Sequence, residues 1–348
     1  MKDKRKIIIN VLLFIILLYI TYYIIFYIIF NNQNPKQFIH NFDKVNINFV
    51  ILSFFVMFLY FIIEGYNIKV LLKSLNEKIS ILQGIKYTMI GFFFSAITPA
   101  ASGGQPMEIY YMSKDDIKVS HATISLLIHL FGYQFSVVFL GIICSLLNTQ
   151  IFDTKLTILF IIGTLLNSIS LFLTFVGIFS KSLSKRIINL AKKIIKFFNI
   201  KNSEYLNEKI SKEYLIYTES STYILKHKKQ FIMAVFRAFL QVIILNSCIF
   251  FTYKSFGLNT YNYFELLQIQ LILSCSVTSI PLPGSIGISE SVFIMIYEAM
   301  FGLLLTNALL INRFISFYSY VLICMFVVLI NKMVLIIKDK KKENILKQ

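Results

Sequence analysis

Six long apolar runs constrain the fold of this chain more than any other feature of its sequence. They cover residues 7–30, 47–72, 123–147, 156–179, 231–253 and 309–337. A helix of about 20 apolar residues spans the hydrocarbon core of a bilayer. Hydrophobic residues make up 57% of the chain and charged residues only 15%, which excludes an ordinary soluble domain. The runs therefore predict an all-α, polytopic integral membrane protein with a single domain over residues 1–348.

Two further apolar regions are interrupted by proline and clustered glycine, which end helices. Residues 83–113 are broken by TPAASGGQP, and residues 264–305 by SIPLPGSIG. In the first region, the pieces 86–98 and 107–113 are too short to cross a bilayer. We interpret both regions as re-entrant helical hairpins, so the predicted fold has six full spans and two hairpins, or eight membrane segments.

The distribution of charge predicts the orientation, because cytoplasmic loops collect lysine and arginine. With two hairpins, the segments 1–6, 69–86, 181–229 and 338–348 lie on one side, with net charges of +3, +3, +8 and +3. The opposite loops carry about +1 in total. Both termini are then cytoplasmic, the first hairpin enters from the cytoplasm, and the second enters from outside. Two full crossings in place of the hairpins would invert only the middle of the chain.

The same charge pattern argues against nucleic acid as a partner, although the formal net charge is +17. Binding DNA or RNA needs a basic face on a folded polar scaffold, and this chain has almost no polar stretch long enough to form one. The connection 181–229 has basic residues interleaved with apolar ones at helical spacing. This pattern is typical of an amphipathic helix on anionic lipid, and an ordinary cytoplasmic connector is the alternative. The basic tail 338–348 is also predicted to be cytoplasmic.

The two breaks resemble each other in sequence. Pro99 is followed nine residues later by Glu108, and Pro281 is followed nine residues later by Glu290. Together with their opposite entry, this predicts an inverted-topology repeat, in which broken helices meet near the membrane midplane and form a transport site. The alternative is that glycine and proline only let the hairpins turn and pack.

The breaks supply most of the candidate substrate-binding residues. We expect a helix to resume near Met107 and near Ile288, where free N–H groups and the positive dipole end would hold a phosphate. Glu108 and Glu290, predicted in the first turn, could cap their helices, bind a headgroup amine or carry a proton. Arg237 and Arg313 could hold a lipid phosphate or extend to the interface. The break residues in the predicted site are Ser102, Gly103, Gly104, Gln105, Pro283, Gly284, Ser285 and Gly287.

Other polar residues have simpler interpretations. Glu64 is predicted to lie at the membrane interface, and His121 and His129 lack a third ligand nearby in sequence, so we expect no metal site. The four cysteines are predicted to pack in apolar surroundings. The sequence contains no nucleotide-binding loop or hydrolase motif, and we therefore expect neither catalytic residues nor a cofactor.

The two break motifs resemble the signatures of a known family. TPAASGGQPME at residues 98–108 and PLPGSIGISE at residues 281–290 are similar to those of the flippase-like family named for the transmembrane region of lysylphosphatidylglycerol synthase. That region is the membrane half of the bifunctional multiple peptide resistance factor. The resemblance covers nearly the whole chain. One departure is Ser285, which stands where the family usually has a second glycine.

The resemblance implies a flippase with two oppositely inserted re-entrant helices in the bacterial inner membrane. Its family moves aminoacylated phosphatidylglycerol to the outer leaflet, which contributes to resistance to cationic antimicrobial peptides. The chain stops eleven residues after Ile337, so we expect no lysyltransferase activity here. The implied partners are a membrane phospholipid and a separate aminoacyl transferase, and a homo-oligomer stays open. Phosphatidylglycerol lysyltransferase and a transporter of a polyprenyl-linked glycan are the alternative functions.

Overall fold

The computed structural model describes residues 40–43, 45–180 and 203–346, together with five single positions between 181 and 202. The predicted first span, 7–30, lies outside the described residues. So do most of the first half of the basic connection and the last two residues of the tail.

The described part of the chain is helical and contains no strand. Four long helices and the helical stretch Pro283–Ile337 are long and apolar enough to cross a membrane, which confirms a membrane protein with several apolar helices. The α-helices with defined bounds are α1 (Ile47–Ser74), α2 (Ile81–Ala96), α3 (Gly104–Lys114), α4 (Val119–Leu147), α5 (Thr154–Phe179), α6 (Ser203–Lys226), α7 (Lys228–Ser255), α8 (Tyr263–Val277), α9 (Ile288–Phe301), α10 (Leu305–Arg313) and α11 (Ser319–Leu346).

The two broken regions form helix pairs that begin in the same way. Ser80 and Gln83 make a capping box at the start of α2, and Asn262 and Glu265 make one at the start of α8. Each box satisfies backbone N–H groups that a helix start otherwise leaves without partners. After the break, α3 packs back against α2 and α9 packs back against α8.

The breaks themselves also share a local structure, and they meet. Each contains a 3₁₀ turn that begins at proline, Pro99–Ala101 in the first and Pro283–Ser285 in the second, and the two turns contact each other. Helix α9 begins at Ile288, as predicted. Helix α3 begins at Gly104 rather than near Met107, because Pro106 lies in its first turn, where the missing N–H is not needed.

Two apolar cores hold these pairs in place. The first lies among α1, α2, α3 and α11, where the rings of Phe61 and Tyr320 stack at 5.1 Å. The second lies among α7 to α10 and includes the packed rings of Phe293, Tyr297 and Phe301. Helix α7 packs against α1 and α4 and joins the two halves. The outer face of α5 carries large exposed apolar side chains, as expected for a helix in contact with lipid.

The last predicted span, 309–337, is not one regular helix. Helix α10 ends at Arg313, and a π-helical turn, Phe314–Tyr318, connects it to α11. Such turns are frequent at functional sites. The π turn includes Phe317, whose ring fills the space next to Gly284 of the second break.

The second half of the basic connection is the helix α6, which packs on the bundle. The Tyr217 hydroxyl donates to the carbonyl of Gly177 (2.5 Å), and the Ser221 hydroxyl donates to the carbonyl of Ile178 (2.7 Å). These bonds attach α6 to the last turn of α5.

Candidate functional site

A cavity of about 480 Å³ lies where the two breaks meet. The first break contributes Ala101 and Ser102 to its wall, and the second contributes Thr278, Ser279 and Ser285. Helices α1, α2, α4 and α5 supply most of the remaining wall. Irregular backbone leaves N–H and C=O groups that need polar partners, so a polar cavity is the expected surrounding for two such breaks.

One wall of the cavity is acidic and polar. It includes Glu64 of α1, Glu108 of α3, and His129 and Gln134 of α4. Gln241 donates to Glu64 Oε2 at 2.6 Å, and His129 Nε2 lies 3.6 Å from Glu64 Oε1. Among the described residues that line the cavity there is no lysine or arginine. The wall therefore favours a ligand group that carries positive charge.

Another part of the cavity wall is apolar and includes side chains of α5 that are exposed. Leu166, Ile169 and Leu173 of α5 line the cavity. The exposed fractions of Ile169 and Leu173 are 55% and 59%, so the same side chains also face the surroundings of the protein. A cavity with an acidic wall and a surface-reaching apolar wall matches an amphiphile, whose polar group would lie inside and whose hydrocarbon would lie against α5.

Glu108 points from α3 into the cavity. It is the fifth residue of the helix, so the prediction that it lies in the first turn is wrong, because α3 starts three residues earlier than expected. Its side chain is buried, and its Oε2 has no hydrogen-bond partner in the described structure. Gly91 of α2 leaves room for the carboxylate, since a Cβ at Gly91 would lie 1.9 Å from Glu108 Oε1.

Glu290 has a different environment from Glu108. Its Oε2 accepts from the backbone N–H of Gly287 at 2.6 Å, which is the capping interpretation offered by the sequence. Its Oε1 accepts from Arg313 Nε at 2.7 Å and from the Tyr318 hydroxyl at 3.3 Å. Glu290 does not line the cavity.

Arg313 is turned inward and holds the second break. Besides Glu290, its guanidinium donates to the carbonyl of Gly284 at 3.1 Å and lies 4.7 Å from the centre of the Phe317 ring. The pair Arg313–Glu290 thus connects the end of α10 to the start of α9. The guanidinium has these protein partners and is not part of the cavity wall.

Arg237 lies behind the acidic wall. Its Nε donates to Asn67 Oδ1 at 2.9 Å, and its guanidinium lies 5.8 Å from the centre of the Tyr66 ring. The side-chain amide of Asn67 in turn contacts His129 Nδ1 at 3.1 Å. Arg237 is therefore one residue removed from the cavity and orients His129 through Asn67.

The structure brings together five of the predicted site residues in the cavity wall, which are Ser102, Gln105, Glu108, Gly284 and Ser285. The predicted residues outside the wall are Gly103, Gly104, Pro283, Gly287, Glu290, Arg237 and Arg313. The N–H of Gly103 donates to Thr98 Oγ1 at 2.9 Å, so this group is already used within the break. The N–H of Gly103 therefore gives no support to the prediction that free N–H groups at this helix start bind a phosphate.

The site predicted from the sequence did not include the other polar residues of the cavity wall, of which Glu64, His129 and Gln134 form its acidic and polar part. Glu64 was predicted to be an interfacial residue without a function, and its side chain is buried against Gln241 and lines the cavity. The available signal was an ionisable residue inside an apolar run, which is costly unless it has a function. His121 instead pairs with Glu77 at 2.7 Å, and among the described residues no group of three metal-binding side chains occurs.

Comparisons with known proteins agree with the two break motifs. The family model described as the lysylphosphatidylglycerol synthase TM region matches residues 7–324. A protein named UPF0104 membrane protein, from Archaeoglobus fulgidus, is 22% identical over 274 residues, which cover 73% of this chain and 77% of that relative. The family match confirms the resemblance that the motifs indicated.

Proposed function

Because the chain belongs to the family of the lysylphosphatidylglycerol synthase transmembrane region, we propose that it is a lipid translocase, which moves a phospholipid between the two leaflets. The observation that carries this proposal is the cavity between the breaks, with its acidic wall and its surface-reaching apolar wall. The headgroup passes through the cavity while the acyl chains stay beside α5.

The charges of the cavity favour a headgroup with an amine. Glu64 and Glu108 are both in the wall, and the lining residues include no basic side chain except His129. A lipid ammonium would donate charge-assisted hydrogen bonds to these carboxylates. The hydroxyl of Ser102 also lines the cavity and is a donor suited to a phosphate. Lysylphosphatidylglycerol fits this arrangement better than phosphatidylglycerol, which has no amine.

We further propose that α2–α3 and α8–α9 are two re-entrant hairpins that enter from opposite faces and form an inverted repeat. Their matching 3₁₀ turns and their contact inside the bundle support this arrangement. Together with the segment 7–30, it gives the eight membrane segments predicted from the sequence. The basic segments then lie in the cytoplasm of a bacterial cell, under the inner membrane.

In such a cell the translocase would receive aminoacylated lipid from a separate aminoacyl transferase on the cytoplasmic side. Cationic lipid in the outer leaflet lowers the attraction of the surface for cationic antimicrobial peptides. The proposed physiological effect is therefore resistance to such peptides.

The test is lipid translocation in proteoliposomes, measured with a membrane-impermeant reagent that reacts with headgroup amines. Lysylphosphatidylglycerol should reach the protected leaflet much faster with the protein than in protein-free vesicles. The double variant Glu64→Gln, Glu108→Gln should be slower by about tenfold or more, since a lost hydrogen bond to a charged group costs about 1.5–3 kcal/mol. Glu298→Gln makes the same chemical change on the exposed face of α9 and should match the wild type.

A wild-type rate equal to that of protein-free vesicles would overturn the proposal. If headgroup-labelled phosphatidylglycerol moves as fast as lysylphosphatidylglycerol, the protein is still a lipid translocase. The amine then has no role in its recognition of the lipid.

A further inference from the structure

Glu108 has a buried carboxyl group, one oxygen of which has no hydrogen-bond donor in the described structure. Its residue is 4% exposed, its Oε2 has no partner in the described structure, and it lines the cavity that we assign to the lipid headgroup. An ionised carboxylate that is buried without donors or a counter-charge is strongly disfavoured, so this position requires a proton or a cationic ligand.

The charges that face Glu108 across the cavity strengthen this requirement. Helix α1 contributes Tyr60 and Glu64, and α4 contributes His129 and Tyr133. The lining residues from α2, α5, α7, the π turn and the second break include no titratable side chain. Arg237 bonds to Asn67 and Arg313 bonds to Glu290, and neither lines the cavity. Two carboxyl groups therefore share a cavity whose wall has no permanent positive charge.

The other two buried glutamates have the partners that Glu108 lacks. Glu64 accepts from Gln241 and lies beside His129, and Glu290 is paired with Arg313 and with the N–H of Gly287. The arginine and the backbone N–H that donate to Glu290 stabilise its ionised form. Among the three, only Glu108 has a buried oxygen without a partner in the described part of the chain, which suits it to gain and lose a proton.

We propose that Glu108 is the proton-binding site that couples lipid movement to proton movement, an inference that rests on the proposed translocase function. In the empty cavity the Glu108 carboxyl holds one proton and is neutral. When an ammonium headgroup enters, the proton leaves to water on the open side, and the carboxylate binds the ammonium. The headgroup then leaves on the other side, and the carboxylate takes up a proton from there. One proton moves for each headgroup, in the opposite direction.

This exchange predicts where the lipid accumulates. In proteoliposomes with a pH difference of roughly one unit, lysylphosphatidylglycerol should become enriched about tenfold in the leaflet that faces the acidic side, because a one-for-one exchange equates the lipid ratio with the proton ratio. A pH-sensitive dye inside the vesicles should report proton exit as the lipid enters. Glu108→Gln cannot bind the proton and should show neither enrichment nor lipid-driven proton movement, whereas Glu298→Gln should show both.

The outcomes separate the two proposals. Wild-type protein that moves the lipid to an equal distribution under either gradient would overturn the coupling and leave the translocase standing. Wild-type protein that moves no lipid would overturn both.

The protonation of Glu108 can also be tested without a transport assay. Infrared difference spectra of the purified wild-type protein should contain the carbonyl band of a protonated carboxyl group, which disappears when lysylphosphatidylglycerol is added. Folded Glu108→Gln, checked by circular dichroism and size-exclusion chromatography, should lack this band. A band that persists in Glu108→Gln would overturn the assignment to Glu108.

Discussion

Glu108 and Glu290 occupy the same place in the two break motifs but have different partners. The difference comes from where the following helix begins. Helix α9 begins at Ile288, so Glu290 is its third residue and reaches back to the N–H of Gly287. Helix α3 begins at Gly104, which places Glu108 two residues further along its helix, on the side of the cavity. The nine-residue spacing from proline identified both residues. Only the positions of the helix starts show that Glu290 caps its helix and that Glu108 lines the cavity.

The conformation of the second break predicts how it responds to substitution. Gly284 has φ +57°, and a Cβ there would lie 2.3 Å from Phe317 Cζ. Gly284→Ala should therefore lower the free energy of unfolding by more than the roughly 1–2 kcal/mol that a left-handed conformation alone costs. Thermal unfolding in detergent, monitored by circular dichroism, measures this.

Ser285 is the matched control for that substitution. It also has a left-handed φ of +51°, and its hydroxyl donates to the carbonyl of Val277 at 2.9 Å. Ser285→Gly relieves the strain and loses one hydrogen bond, so its stability should stay within about 1 kcal/mol of the wild type. Equal stability of Gly284→Ala and Ser285→Gly would contradict this description of the break.

At the scale of elements, the two arms of the α2–α3 pair are tied together at their open end. Asp115, which follows α3, forms an ion pair with Lys86 of α2 and accepts from the Tyr87 hydroxyl at 2.8 Å. Both charged side chains are mostly buried. Asp115→Asn should lower the free energy of unfolding by about 1.5–3 kcal/mol, since it weakens two hydrogen bonds that involve a charge.

Asp116, the exposed neighbour of Asp115, provides the control for the ion pair between Asp115 and Lys86. Asp116 has φ +63°, which asparagine tolerates, so Asp116→Asn makes the same chemical change without strain. It should leave the thermal unfolding midpoint nearly unchanged. Similar shifts of the unfolding midpoint for Asp115→Asn and Asp116→Asn would show that the Asp115–Lys86 ion pair does not stabilise the α2–α3 pair.

The helices and breaks that have a distinctive amino-acid composition could be predicted from the sequence. Apolar length identified α1, α4, α5 and α7, and proline with glycine identified both breaks. The π turn Phe314–Tyr318 was not predicted, because one extra residue in a helical turn leaves no mark in an apolar run. The partners of Arg313 and the burial of Glu64 depend on helices far apart in sequence, so they required the fold.

For the whole molecule, charge predicts the orientation in the membrane. The segment 181–229 has the largest net charge, +8, and Leu215 of α6 is 60% exposed. The four native cysteines are buried, so they should give little background. In intact cells, Leu215→Cys should resist an impermeant maleimide and react only after permeabilisation.

Thr260 provides the opposite-side control, because it is exposed in the loop between α7 and α8. Thr260→Cys should react with the maleimide from outside in intact cells. Ready labelling of Leu215→Cys from outside would contradict the proposed orientation and both proposed hairpins.

The most direct test of the central claim, that the cavity between the breaks binds an amine-bearing phospholipid, is native mass spectrometry of the purified protein. The wild type and Glu298→Gln should retain lysylphosphatidylglycerol in preference to phosphatidylglycerol when both are offered in equal amounts. The double variant Glu64→Gln, Glu108→Gln should lose this preference. Identical lipid occupancy in all three proteins, or retention of a polyprenyl-linked glycan in place of phospholipid, would contradict the account.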